Sequence, residues 1–354
     1  MGNSIGDILS SFNLSDKCTW TEISSGLINK TYLVSNTEKD VKYVFQEINK
    51  SIFPNVEALM NNIELVNNHL RSFTKSQFPS LLKTISGQNL LLDRSDRAWR
   101  VYEFIENSKT INQTRNSKVA KEAGKAVGQF HVDMDGFDSK KLSNTLPNFH
   151  TLSTRLNQLD KAILSSTHSN RGDVLEMISM IDRIKSKFNP LFEIDLPLRV
   201  THNDTKLNNI LFDNNDEYIC LIDLDTLMPG YLYTDFGDAL RTLSNPVGED
   251  EKDISKVQFD LNLFESFTGG FLLKTNAILT QSEKSTLPLS IPYMPFIMAI
   301  RFLTDYLNGD IYYKVSYEHQ NLDRAKNQLA LVKNVSDQFD AITSVFTKFG
   351  LIQT

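Results

Sequence analysis

Short apolar runs open the chain. Residues 19–24 and 31–35 mix β-branched and aromatic side chains around a turn containing Gly26 and Asn29, a pattern that predicts two strands. A third run, 41–48, follows the polar turn 36–40. Pro54 then stands near a helix start, and Val56, Leu59, Met60, Ile63, Val66 and Leu70 recur at the spacing of one helical face. Further strands are expected near 81–85 and 98–104, which gives a small antiparallel sheet with one helix.

From about residue 105 the period changes, and helices are expected over 118–134, 149–163 and 173–188, with several more from 235 onward. Leu322, Ala325, Leu329, Val332, Val335, Phe339 and Ile342 form one face of a single long final helix. Only 198–225 reads as strands and loops in this half. The fold class expected is therefore α+β in two lobes. Residues 1–104 form an N-terminal lobe, a hinge lies near 102–106, and 105–354 form a larger, mostly helical lobe.

Composition narrows the function classes. Of 354 residues 40% are hydrophobic and 23% charged, as in an ordinary globular protein, and the net charge of −6 argues against a nucleic-acid partner. Two cysteines, Cys18 and Cys220, make neither a disulfide framework nor a four-cysteine zinc site. His69, His131, His150, His168 and His319 have no partner four residues on and no nearby cysteine, so zinc is not expected. The first residues lack a basic and an apolar segment, and Gly6 stands where a myristoylation pattern needs Ser or Thr. The apolar stretch 291–303 contains Pro292, Pro295 and Arg301 and falls short of the ~20 residues a span needs. A cytoplasmic protein without a membrane partner is the expectation; subunit number is not legible.

The informative segment is Val200-Thr-His202-Asn203-Asp204-Thr-Lys206-Leu-Asn208-Asn209, followed by Tyr218-Ile-Cys-Leu-Ile-Asp223-Leu-Asp225. An apolar strand enters a polar loop and returns through a second strand that ends in a carboxylate. Phosphoryl transfer needs such a set: a carboxylate to orient and deprotonate an attacking hydroxyl, and a carboxamide with a second carboxylate to hold Mg²⁺. Thr234-Asp235-Phe236-Gly237 imitates a kinase metal motif, but it lies 31 residues after Asp204, whereas Asp223 lies 19 after and ends a strand. Asp235 is expected to cap the following helix and to bond the catalytic loop rather than a metal.

These motifs resemble the kinase-like phosphotransferases that include aminoglycoside and choline kinases, which usually read His-Gly-Asp where this chain has His202-Asn203-Asp204. HNDTKLNN and IDLDTLMPG, with YVFQEINKSIFPNVEALMNNI and RFLTDYLNGDIYYKV, are similar to the N-acetylhexosamine 1-kinases. The resemblance implies a bilobal protein-kinase-like fold using ATP and Mg²⁺. It makes Asp204 the base, places Lys206 near the γ-phosphate, makes Asn209 and Asp223 the metal ligands, and leaves His202 to orient the loop.

The nucleotide half departs from the usual kinase pattern. Gly26, Asn29 and Thr31 lie where a glycine-rich loop would cover the phosphates, but the loop has one glycine. Gln46 stands where a strand lysine is expected, and Lys30, Lys42 and Lys206 are equal candidates for the missing charge. Backbone groups near Glu103 and Ile105 are implied to hold adenine. For the acceptor, a sugar, the resemblance points to Arg301 and Tyr312, with Asp204 and with Asp225 on the opposite side of an extended strand end. A salt bridge is the competing role for Arg301. Two other functions compete: a kinase of another small alcohol (choline, an aminoglycoside or a homoserine-like substrate), and a non-catalytic binding protein. Arg301 and Lys314 among Asp305, Asp310 and Glu318 tilt against a cationic substrate.

Overall fold

The computed structural model describes residues 5–14, 17–23, 28–74 and 76–352. Gly26 lies outside them. Strands β1 (Cys18–Ile23), β2 (Lys30–Asn36) and β3 (Val41–Ile48) form an antiparallel meander. It is extended by β5 (Ala98–Glu103) and the two-residue β4 (Leu91–Leu92), giving the order β1-β2-β3-β5-β4. The strand expected over 81–85 is reduced to an isolated bridge between Leu81 and Tyr102, and the edge pairing passes to β4.

Both faces of this sheet are covered. Trp99 and Val101 pack with Val34 and Phe45 against Ile8, Leu9 and Phe12 from α1 (Ile5–Leu9) and the turn after it. Ala98 and Tyr102, on the other face of β5, join the core that includes α2 (Val56–Phe73). Helix α2 starts at Asn55, whose side chain accepts the Ala58 N–H at 2.9 Å. Asn62 on its buried face donates to the carbonyls of Ser143 and Leu227 (2.8 and 2.9 Å), tying the helix to the second lobe.

The second lobe contains α3 (Ser117–Asp133), α4 (Leu152–Ser165), α5 (Gly172–Ile184) and the short α6 (Pro190–Glu193). After the loop region come α7 (Leu232–Leu243), α8 (Leu261–Thr275), α9 (Gln281–Leu307), α10 (Gln320–Asp337) and α11 (Phe339–Lys348). The single final helix expected from its apolar face is two helices, broken at Gln338. Beyond the break, Ile342 and Phe346 are fully buried, with the Phe346 ring 5.6 Å from that of Phe264.

Helix α9 begins ten residues before the expected apolar stretch, with a reciprocal Thr280–Glu283 capping box, and runs through Pro288, Pro292 and Pro295. An interior proline costs about 3 kcal/mol. Tyr293, Met294, Phe296, Ile297, Ile300, Phe302 and Leu303 are all at most 1% exposed. At about 1.5–3 kcal/mol for each such side chain, burial outweighs the broken ladder. By length and composition α9 could cross a membrane, but its apolar window is 89% buried inside the protein, which makes it the central core helix.

Candidate active site

Between α6 and α7 four short strands and two tight turns position the chemistry. Strand β7 (Arg199–Thr201) pairs with β10 (Met228–Gly230), while β8 (Ile210–Phe212) pairs with β9 (Tyr218–Leu221) and with β6 (Lys109–Thr110). The catalytic loop leaves β7 at His202, and the Asp223 turn leaves β9.

Asp235 organises the loop from below. It is fully buried; its Oδ2 accepts the His202 N–H at 2.8 Å and its Oδ1 the Asn203 N–H at 2.7 Å. Thr205 Oγ1 donates to its carbonyl at 2.6 Å, and His131 Nε2 is 3.2 Å from Oδ2. Burial pushes its carboxyl up, but the His131 hydrogen bond and charge, with the backbone donor of His202, outweigh this and hold it low. The loop-bonding role expected for Asp235 is therefore present. The capping role is not: the N-cap of α7 is Tyr231, and Asp235 sits inside the first turn. Gly237 is small for packing reasons, since a Cβ there would meet the Ser290 carbonyl of α9 at 2.4 Å.

Asn203 occupies φ 63°, the left-handed region that favours glycine and, among other residues, asparagine. Its side chain anchors it by donating to Thr201 Oγ1 (2.8 Å) and the Thr226 carbonyl (2.9 Å). His202 orients the loop, with Nε2–H donating to the Ile222 carbonyl at 3.0 Å and Nδ1 accepting the Asp204 N–H at 3.3 Å.

Asp204 and Asn209 meet across the loop. The Asn209 Nδ2 donates to the Asp204 carbonyl (2.8 Å) and to Asp204 Oδ2 (2.9 Å), and Lys206 Nζ lies 2.8 Å from the same oxygen. Among the described residues no protein donor reaches Asp204 Oδ1, and Asp204 lines the cleft between the lobes. Burial would raise the Asp204 pKa, but the Lys206 charge and hydrogen bond lower it; the Lys206 ammonium is raised in turn, against its own burial. Asp223 sits on the same cleft at φ 65°, ψ 60°. Burial, then the Asp225 carboxylate, push it up to about 6, against the lowering charges of Lys206 and Arg100. Among the described residues no three His, Cys, Asp or Glu side chains close a metal cage. Asp223, which lines the cleft, and the carboxamide oxygen of Asn209 are the oxygen donors that would hold Mg²⁺, an ion that retains waters and takes phosphate oxygens.

Asp225 departs from expectation. The chain is not extended after Asp223 but forms a tight turn, Leu224–Thr226. Asp225 Oδ2 accepts Asn29 Nδ2 at 2.7 Å and Oδ1 pairs with Arg100, so both oxygens are held by the first lobe. Gln46 and Thr31 join this group: Gln46 Nε2 donates to Thr31 Oγ1 (3.3 Å), and Arg100 Nε donates to Gln46 Oε1 (2.9 Å). Asn29, Thr31 and Gln46 all line the cleft. The Glu103 N–H is taken by the Ser80 carbonyl at 2.9 Å, and the Ile105 side chain is buried with Leu211 and Cys220.

The cleft is also lined by Arg301 and Tyr312, together with Phe149 and His150, which the sequence reading did not place in a site. The Arg301 guanidinium carbon lies 4.4 Å from the Phe149 ring centre and 5.6 Å from that of Tyr312, and Nη2 donates to the Tyr312 hydroxyl at 3.4 Å. Among the described residues no carboxylate forms a salt bridge with it. Asp305, counted above as a possible cation ligand, is instead spent on the loop: it accepts the N–H groups of Ile311, Tyr312 and Tyr313 (3.1, 2.8 and 3.0 Å). Asp310 bonds Asn321. Asp238 and Glu249 also line the cleft, and both pair with Arg241, at 2.9 and 2.7 Å. The signal for this trio was the charged i,i+3 pair Asp238–Arg241 on the buried helix α7.

Comparison with known proteins agrees with this fold. The whole chain is similar in fold to an aminoglycoside phosphotransferase from Alicyclobacillus acidocaldarius, with 15% identity, 98% of each chain covered and a TM-score of 0.63. A choline kinase from Cryptosporidium parvum matches at 15% identity, 94% of each chain and a TM-score of 0.57. A spectinomycin phosphotransferase solved with ADP and spectinomycin matches at 11% identity over 90% of this chain and 93% of that one, with a TM-score of 0.57. The family model described as the phosphotransferase enzyme family matches residues 19–257, which contain the catalytic loop, Asn209 and Asp223. The chain belongs to that phosphotransferase family.

Proposed function

We propose that this protein is an ATP- and Mg²⁺-dependent kinase that phosphorylates the anomeric hydroxyl of a free N-acetylhexosamine. One observation supports the acceptor class above all: Arg301, without a carboxylate partner among the described residues, stands with Phe149 and Tyr312 on the wall of the cleft that also holds Asp204. A guanidinium offers donors to the hydroxyl and carbonyl oxygens of a neutral sugar and repels an ammonium. Aromatic rings beside it suit the apolar face of a pyranose.

Asp204 accepts the proton of the anomeric hydroxyl through Oδ1, while Asn209 and Lys206 fix Oδ2. The deprotonating oxygen attacks the γ-phosphorus; the bond from that phosphorus to the β-phosphate oxygen breaks, and ADP leaves. The sugar C–O bond stays intact, so the anomeric configuration is retained. Lys206 would offset charge on the transferred group. Asn209 and Asp223 would hold Mg²⁺, which supplies neutralisation of the triphosphate when bound.

The test is an ADP-release panel of N-acetylglucosamine, N-acetylgalactosamine, glucose, choline, kanamycin and homoserine, with phosphorus NMR on any product. Turnover of an N-acetylhexosamine to its 1-phosphate is the expected result. Preferential turnover of choline or kanamycin would overturn the acceptor assignment and leave the kinase chemistry standing. Nucleotide binding without turnover of any compound would favour a binding protein.

A further inference from the structure

A kinase sheet normally delivers a lysine to the nucleotide site and pairs it with a glutamate from the neighbouring helix. This sheet does neither among the described residues. Lys30 pairs with Glu47 at 3.8 Å, Lys42 with Glu106 at 3.2 Å and Lys50 with Asp96 at 2.5 Å, all at the surface, and none with a glutamate of α2. The sheet does hold one fully buried cation, Arg100. It stands directly opposite Gln46 in the β3–β5 register, so the charge absent from β3 lies one strand away.

Arg100 reaches out of the sheet into the second lobe. Its Nε is fixed by Gln46 Oε1 at 2.9 Å, and Nη1 pairs with Asp225 Oδ1. Asp225 is also gripped by Asn29 Nδ2, and Asn29 Oδ1 accepts the Asn49 N–H at 3.0 Å, which returns the network to the end of β3. Arg100 Nη2 has no hydrogen-bond partner among the described residues. A guanidinium so enclosed is sustained by its carboxylate partner, and the partner belongs to the turn that carries Asp223. That turn needs holding, because Asp223 is a non-glycine residue at φ 65°. Thr226 Oγ1 bolts it to the His202 carbonyl at 2.6 Å on the loop side. Asn29 and Arg100 bolt it on the sheet side.

We propose that Arg100 is a positioning residue for nucleotide binding: its ion pair with Asp225 does the work of the missing lysine–glutamate pair by fixing the Asp223 turn against the sheet. This rests on the kinase reading of the site but not on the identity of the acceptor.

The experiment is therefore calorimetric titration of Mg·ADP, which needs no acceptor, with melting curves of each variant. Arg100→Met and Asp225→Asn should each weaken Mg·ADP about tenfold or more, and the double variant should be no weaker than the worse single one. Arg100→Lys should stay within about threefold of wild type, and Gln46→Lys should recover part of the affinity lost in Arg100→Met. If Arg100→Met fails to fold, Asp225→Asn and Arg100→Lys decide the matter. A lowered melting temperature with Mg·ADP affinity unchanged in Arg100→Met, or in Asp225→Asn, would make the pair purely structural and overturn the proposal. Additive losses in the double variant would overturn it as well. Failure of the acceptor panel, with these affinities behaving as stated, would count against the sugar alone.

Discussion

Asp235 Oδ1 accepts the backbone N–H of Asn203 at 2.7 Å, and that bond holds a side-chain-bearing residue at φ 63° immediately before Asp204. Asp235→Ala would strip partners from two buried N–H groups, those of His202 and Asn203, at about 1–3 kcal/mol each. The melting temperature should fall by several degrees. Asp223→Ala should differ: among the described residues its carboxylate accepts no protein hydrogen bond, so the fold persists while Mg²⁺-dependent nucleotide binding disappears. Melting curves and Mg·ADP titration on both variants separate the roles. The reverse pattern would restore the Asp-Phe-Gly segment as the metal motif.

Asp204→Asn should abolish turnover with the fold and nucleotide binding nearly intact. The carboxamide can still meet Lys206 and Asn209 imperfectly, but it cannot take the proton at Oδ1. Loss of a general base is worth ~10²–10⁴-fold in rate. A variant that kept more than about a tenth of wild-type kcat would remove Asp204 from that role.

The motif around Asp204 was legible because its residues are close in sequence: His202, Asp204 and Asn209 touch one another within one loop, which Asp235 also holds. The three-strand meander was legible for the same reason. What escaped depends on distant partners. Arg100 reads as one polar residue in a strand; its meaning comes from Gln46 across the register and Asp225 from the other lobe. The break at Gln338 escaped because Val335, Phe339 and Ile342 keep helical spacing across it. The extended strand end assumed for Asp225 was misread because the left-handed Asp223 ends it, although Asp225 still lines the cleft.

His150 should make stability acid-sensitive. Its Nε2–H donates to the Asn203 carbonyl at 3.0 Å, and burial, then the Arg301 charge, push it down from 6.5 to about 3. A pKa lower in the folded than in the unfolded chain means the unfolded chain binds the proton first. The stability contributed is fully present above about pH 6.5 and is lost progressively as pH falls toward about 3. His150→Gln keeps an amide donor for Asn203 and cannot titrate. Its melting temperature should therefore drop less than that of wild type between about pH 7.5 and about pH 5. Equal drops in the two proteins would show that His150 does not set this sensitivity.

Arg301 allows the sharpest test of the acceptor. Leucine retains an apolar stem beside Phe149 and Met298 but removes all five donors. If those donors meet sugar oxygens, their loss costs ~1–3 kcal/mol, roughly ten- to over a hundredfold in kcat/KM for the sugar. The KM for ATP should change little if the nucleotide is held by Asn29, Thr31 and Gln46, the cleft residues proposed for it. Stability should not fall for want of a salt bridge, since no carboxylate among the described residues pairs with Arg301, and removing a buried cation can even raise it. The competing role is cation–π packing over Phe149, which predicts a lower melting temperature with both KM values near wild type. Measuring the two KM values and a melting curve on one variant decides between them. An unchanged sugar KM with a lowered melting temperature would withdraw Arg301 from the pocket, and with it the main physical reason to prefer a neutral sugar over another alcohol.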